Sequence, residues 1–275
     1  MRPTGTAILR GSILTACGLA LTACATATPT QSGFLSDYSQ LQPRTDVVRA
    51  KVSQYRDEPL LQATERVRLE PAIMGEGVAT GFSPEEIEIL LWEVDRQICY
   101  KMSRRFSLAD DTETEAARLR VTTTRVLPTN AVGSAASAVV DRFIPGPIGL
   151  RVPGSTGGLA AEAELVTADG RQAAAVIWAR DAQVIGTENP SLSRVGDAHQ
   201  LAGAFADIVT DAVTPQERDA RPVPDPDPCA RFGQRIRPEG FVTRFVTGLY
   251  SPTLSGGAAQ SDETPSAEPE ETDPN

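Results

Sequence analysis

The sequence predicts an α+β domain: a mostly antiparallel sheet of four to five strands with two helices on one face, in the order β-α-β-β-β-β-α, followed by a C-terminal extension. Three observations carry that expectation. Ile87, Leu90, Leu91, Val94, Ile98 and Met102 recur at helical spacing, and Leu201, Phe205, Ile208, Val209 and Ala212 form a second such stripe. Residues 159–167 and 174–182 read as strands, and Asp169-Gly170 between them is a hairpin turn in which glycine supplies the positive φ.

Taken in order, residues 67–74 read as the first strand and residues 75–81 as a loop. Ser83-Pro84-Glu85-Glu86 is a capping box with proline at the first helical position, so a helix of about 20 residues must follow. Strands are expected near 106–109 and 119–127, ahead of the hairpin. Asp197, with Gln200 three residues on, is expected to cap the second helix, which Pro215 ends because proline cannot continue it. A chain of 275 residues, 40% hydrophobic, can bury one core of ordinary size.

The chain ends differ in composition from this middle. Residues 1–23 read as a lipoprotein signal peptide: Arg2 and Arg10 make a basic start, a short apolar run follows, and Leu21-Thr22-Ala23-Cys24 closes it as a lipobox. A second match, Leu14-Thr15-Ala16-Cys17, leaves too short an apolar run, so Cys24 is the expected lipidation site. Ala25 follows it where aspartate would signal retention at the inner membrane, so the expected address is the periplasmic face of the outer membrane. Residues 24–45 then form the lipidated tether and N-terminal segment, 46–214 the domain and 215–250 a Pro-rich and basic-aromatic extension packing on it. Residues 251–275, with six acidic residues, four prolines and no base, form a disordered tail. Of four cysteines, Cys17 leaves with the signal and Cys24 carries lipid; in an oxidising periplasm Cys99 and Cys229 read as a disulfide. Trp92 and Cys99 lie off the main apolar stripe of the first helix, with Ile89 and Tyr100 farther round, so that helix needs a cover on its outer side. Residues 229–250 are the expected cover.

Ser32-Gly33-Phe34-Leu35-Ser36-Asp37-Tyr38-Ser39-Gln40-Leu41 close after the lipobox, a strand ending near Glu70-Pro71, and a strand running into Leu127-Pro128-Thr129-Asn130 resemble the DUF3313 family of bacterial lipoproteins, whose function is unknown. The resemblance covers residues 32–213. It implies a lipoprotein address and one α/β-type domain, and supplies no catalytic residue. The chain departs from the family pattern in its tail beyond Pro215.

Chemistry is sparse. Lysine plus arginine number 26 against 36 aspartate plus glutamate, a net charge of −10, which repels phosphate backbones, so no nucleic-acid partner is expected. Gly75-x-Gly77-x-x-x-Gly81 sits between strand and helix, but its third glycine is one residue late for the dinucleotide fingerprint and Glu76 adds negative charge; no nucleotide is expected. One histidine, His199, reads as a surface residue, because no G-x-S-x-G motif accompanies it. No metal and no cofactor are expected. Glu162 and Glu164 alternate on one strand and Arg118 and Arg120 on another, which reads as ion pairing on a solvated face; a carboxylate pair for hydrolysis is the alternative. In residues 131–152 the apolar Val139, Val140, Phe143 and Ile144 are candidate contacts for a partner or lipid, unless the segment packs over the domain's edge. Arg231, Arg235, Arg237 and Arg244 interleave with Phe232, Phe241, Phe245 and Tyr250, either as a clamp on the domain or as a site for an anionic polymer.

The expected function is therefore a non-enzymatic outer-membrane-anchored lipoprotein, an accessory or docking subunit of an envelope complex; binding of a lipid or amphiphile is the first alternative and carboxylate-based hydrolysis the second. The anchor is open to direct test. Cys24→Ala is expected to abolish palmitate labelling and release the protein into the soluble periplasmic fraction, whereas Cys17→Ala does neither; label retained in Cys24→Ala would refute the address.

Overall fold

Caps and turns divide the chain into short and long elements. The computed structural model describes residues 29–141, 149–234 and 237–255. In chain order these residues form β1 (Gln42–Pro43), β2 (Lys51–Arg56), α1 (Glu58–Ala63), β3 (Arg66–Leu69), β4 (Ile73–Met74), α2 (Pro84–Met102), β5 (Ser107–Ala109), β6 (Ala117–Leu127) and α3 (Ala131–Asp141). There follow β7 (Gly149–Leu150), β8 (Gly158–Val166), β9 (Gln172–Asp181), β10 (Ile185–Gly186), α4 (Gly196–Val213), a 3-10 turn (Ala230–Phe232), α5 (Pro238–Thr247) and α6 (Pro252–Ser255). The capping box of α2 is complete: the Ser83 hydroxyl accepts from the Glu86 N–H, and the Glu86 carboxylate accepts from the Ser83 N–H. Gly170 turns the β8–β9 hairpin at φ 86°.

The architecture is α+β, as expected, but the sheet is larger and more mixed than expected. Eight strands run in the order β1-β2-β9-β8-β6-β3-β5, with β4 also on β6, and β7 pairs with β10 in a small separate sheet. Strands β1, β2, β9, β8 and β6 are antiparallel neighbours, whereas β3 lies parallel to β5 and β6, and β4 parallel to β6. Pro71, which lacks an N–H, lies between β3 and β4, so the expected single strand over 67–74 is two pieces laid along β6. Strand β2 has only Val52 and Tyr55 as apolar side chains and gives little alternation to read.

Helices α2 and α4 pack side by side on one sheet face. Leu90, Val94, Ile98 and Met102 from α2 and Leu201, Phe205 and Val209 from α4 meet Leu159, Leu165, Val176 and Trp178 in one buried core. The Trp178 and Phe205 rings stand 5.6 Å apart. Two residues after β6 start helices elsewhere. The Thr129 hydroxyl accepts from the Asp197 N–H at 3.0 Å, in the first turn of α4, and the Asn130 carboxamide oxygen accepts from the Gly133 N–H, in the first turn of α3. Asp197 is thus not the cap expected for α4. It is buried and accepts from both Nη atoms of the equally buried Arg151, at 2.9 and 3.2 Å, and from the Gly157 N–H. Gln200 bonds Asn189 instead.

Strand β8, central in the sheet, is buried along its whole length. Its second face is covered by the chain around residues 32–41, where Leu35 packs on Ala175 and Ile177 with Phe34, Tyr38 and Leu41 beside it. The expected solvated ion-pair face is therefore a covered one. Glu164 does pair with Arg120, at 2.7 Å and in register across β6 and β8, but Glu162 and Glu164 are both fully buried. Burial requires donors for them. Glu162 accepts from the Ser32 N–H and hydroxyl and the Tyr38 hydroxyl, at 2.9, 2.6 and 2.7 Å, and Glu164 from the Ser36 N–H and hydroxyl and the Gln172 amide. Beyond the domain, Pro252 and Ser255 are buried, so the tail expected from residue 251 begins as packed chain; residues 256–275 lie outside the described residues.

This cover over the carboxylates generates a prediction. Tyr38→Phe removes one donor from a buried charge and is expected to lower unfolding free energy by about 1–3 kcal/mol, read from urea titration at neutral pH. A variant as stable as the parent would show that solvent reaches Glu162.

Candidate binding cleft

The covalent tie expected for the extension is present. Cys99 on α2 is bonded to Cys229, with Cα atoms 5.9 Å apart and 130 residues between them in sequence. On the chain-entropy model, closing a loop of that size contributes up to about 5 kcal/mol. Next to the bond, Phe232 is buried with its ring edge-on to Trp92 at 4.8 Å and to Tyr100 at 6.5 Å, and the Tyr100 hydroxyl donates to the Gly233 carbonyl at 2.8 Å. The outer side of α2 is thus covered by the chain after Cys229.

A buried polar network continues the seam. Arg96 contacts both oxygens of Glu93 at 3.3 Å and donates to the Gln234 carbonyl at 3.2 Å; the Gln97 amide donates to Glu93 at 2.6 Å. From α4, His199 Nε2 stands 3.8 Å from Glu93, and Nδ1 shares a hydrogen bond of 2.8 Å with the Tyr250 hydroxyl. His199 is therefore not the surface residue expected but 2% exposed, walled in once the extension crosses both helices. Burial, then the charges of Arg96 and Arg237, push its pKa down to about 3, so the ring is neutral and its approach to Glu93 is not an ion pair. Burial pushes the Glu93 carboxyl up to about 7 against the opposing pull of Arg96 and Gln97. The network fastens the extension to two helices without presenting a nucleophile.

Above this seam lies a cleft of about 550 Å3 between α4 and the extension. Leu201, Ala204, Pro238, Phe241 and Tyr250 give it apolar walls, and Arg49, Arg180, Arg237 and Arg244 line it with only Glu188 and Asp207 as carboxylates. On its outer wall, α5 turns an apolar stripe to solvent: Phe241, Val242, Phe245 and Val246 are 61, 57, 82 and 59% exposed. A second cleft, of about 700 Å3, is also net cationic but has only Pro43, Pro215 and Ala220 as apolar lining; its Arg104 and Arg105 donate to the Arg221 and Arg218 carbonyls. There Arg44 pairs with Asp46 and Asp211, Lys101 pairs with Asp207, and Arg56 donates to the Ala212 and Thr214 carbonyls at the end of α4.

Of the other residues singled out by sequence, Val139 is exposed on α3. Phe143, Ile144, Cys24 and the side chain of Val140 lie outside the described residues. Glu162 and Glu164 are brought together beneath the segment 32–41, with no cleft reaching them among those described here. Gly77 and Gly81 sit at positive φ in the turns that join β4 to α2. No group of three His, Cys, Asp or Glu side chains among the described residues is arranged to hold a metal ion. Arg49 and Arg180 were not singled out by sequence, since nothing local marks two arginines over a hundred residues apart as neighbours.

The two perturbed groups in the seam set a pH dependence. Unfolded, Glu93 releases its proton near 4.5, while folded it holds it to about 7, so its contribution to stability falls as pH rises through that window. His199 has the opposite sign: folding is weakened as pH drops from 6.5 towards about 3. Between 5 and 6.5 the slopes oppose each other. Glu93→Gln deletes only the first, so its stability relative to the parent is expected to rise by about 1 kcal/mol per pH unit over that range, measured by chemical denaturation. A difference independent of pH would mean Glu93 ionises normally.

The profile of a family described as "Protein of unknown function (DUF3313)" matches residues 30–209. No curated protein matches the chain. Among solved structures, the PelC dodecamer from Paraburkholderia phytofirmans, in a point-variant and a second crystal form, is similar to it at 9% identity and TM-score 0.35. The alignments cover 61% and 60% of this chain and 99% of each PelC chain. Likeness that weak assigns neither function nor assembly.

Proposed function

The chain belongs to the DUF3313 family, and we propose that it is a non-enzymatic lipoprotein, held by Cys24 at the periplasmic face of the outer membrane, that docks as an accessory subunit on an envelope protein. The observation that carries this reading is the outward apolar stripe of α5. Large apolar side chains at four neighbouring helix positions are left in solvent although the extension that bears them is tied down by a disulfide and a buried network. An exposed apolar face on an ordered, rigidly held helix is the anatomy of an interface.

The tether supports a protein partner over the bilayer that would hold the lipid. Ser32 is fastened to Glu162 on one sheet face, whereas α5 lies beyond α4 on the other. A lipid on Cys24 would thus attach on the side away from α5, with seven residues between it and Ser32, a reach of ~3.5 Å each when extended. The hydrolase reading loses the residues that motivated it, because Glu162 and Glu164 are saturated with donors from the chain itself.

Photo-crosslinking in cells tests the proposal. A crosslinker at Phe245 is expected to capture one envelope protein that a crosslinker at Arg171, on the β8–β9 hairpin, does not. Val242→Glu with Phe245→Glu, neither of which lines the cleft, should abolish both the capture and complementation of a deletion strain, while stability stays within about 0.5 kcal/mol because both side chains are exposed. Full complementation by that double variant sinks the docking reading.

A further inference from the structure

We propose that the cleft between α4 and the extension is a binding site for a single-chain anionic amphiphile. The cleft shares Phe241 with the docking stripe, whose other members Val242, Phe245 and Val246 do not line it. Two features of the cleft must be explained together, its apolar walls and its unneutralised positive charge. Arg180 pairs with Glu188, and Asp207 with Lys101, so the carboxylates that line the cleft are already engaged. Among the described residues, Arg49, Arg237 and Arg244 meet no carboxylate within 4 Å. Arg237 donates to the Phe232 carbonyl at 3.1 Å, and the Arg244 guanidinium lies 5.5 Å from the centre of the Phe241 ring. The second cleft is cationic too, but it lacks large apolar side chains, so positive charge and apolar walls coincide only here among the clefts described.

The walls decide the rest of the ligand. Leu201, Ala204 and Phe241 are apolar, and Tyr250, whose hydroxyl bonds His199, lines the cleft beside them. Gln97, Thr187, Asn189, Gln200 and Ser255 also line the cleft, but Gln97 is bonded to Glu93 and Gln200 to Asn189, so fewer groups are left to recognise a sugar than its apolar side chains offer a hydrocarbon chain. A ligand with one anionic head and one hydrocarbon tail matches both features: guanidinium forks take a carboxylate or phosphate in bidentate fashion, and the tail gains from apolar burial. A volume of about 550 Å3 lies in the range of small-molecule sites and holds one such chain.

The test uses the chain without residues 1–23 and with Cys24→Ser, which retains every described residue and carries no acyl chain of its own. Equilibrium dialysis below the micellar range would compare laurate, dodecyl phosphate and dodecyltrimethylammonium. Saturable one-to-one binding of the two anions is expected, with the cation at least tenfold weaker. Arg244→Gln, which removes a side chain with no hydrogen bond to the fold among those described, should weaken laurate binding about tenfold without changing the melting temperature; Ala204→Trp should block all binding by filling the cleft. Equal affinity for cation and anions, unsaturable uptake, or laurate affinity unchanged in Arg244→Gln would each overturn the site. So would flotation of the protein with phosphatidylglycerol vesicles in the absence of monomer binding, since that assigns the arginines to a bilayer surface.

Discussion

Over its second half, residues 93–102, helix α2 has no side bare to solvent, and much of the molecule follows from covering it. Its apolar stripe belongs to the sheet, and the helix as a whole lies against α4. That leaves Trp92, Arg96, Cys99 and Tyr100 on the outer side, too apolar to leave bare and too polar to join the core. The extension resolves this by bringing matched groups: Cys229 for Cys99, the Phe232 ring for Trp92 and Tyr100, and backbone carbonyls for Arg96 and the Tyr100 hydroxyl. A disulfide alone would hold one point. The buried contacts set the direction in which the chain leaves it, across α2 to α4, and so determine where α5 stands.

The same rule operates on the sheet's second face. A central strand buried on both sides cannot leave charge unpaired, yet β8 carries two glutamates there. Their seven donors from Ser32, Ser36, Tyr38, Gln172 and Arg120 come mostly from a segment more than a hundred residues upstream. Removing such a segment would strip Glu162 of every donor given above and leave Glu164 with only Arg120 and Gln172. The sheet and the segment 32–41 therefore form one unit.

These long-range partnerships mark where sequence reading succeeds and fails. Local rules read well: the capping box of α2, the Asp169-Gly170 turn, both helical stripes and the pairing of the two remaining cysteines all follow from neighbours or from counting. What failed was the burial of polar residues. Glu162, Glu164, His199 and Asp197 look like surface groups because their sequence neighbours say nothing about Tyr38, Tyr250 or Arg151. The parallel strands β3 and β4 failed for a related reason, since a two- to four-residue strand on a sheet's flank carries no period to recognise. The cleft was half legible: its aromatic and basic residues in the extension stood out, but Arg49, Arg180 and the face of α4 that meets them did not.

The cleft and the core also separate along the chain. The family profile ends at residue 209, within α4, whereas Arg237, Phe241, Arg244 and Tyr250 all lie beyond it. The main core draws no buried side chain from the extension. The extension is held to the outer side of α2 through one covalent bond, one aromatic cluster and one polar network. Covering that side takes only residues 229–234, so α5 beyond them adds something the core lacks. What it adds in this protein is a cationic, apolar-walled cleft on one side of α5 and an exposed apolar stripe on the other, and function is therefore to be sought in those two surfaces of α5 before the sheet.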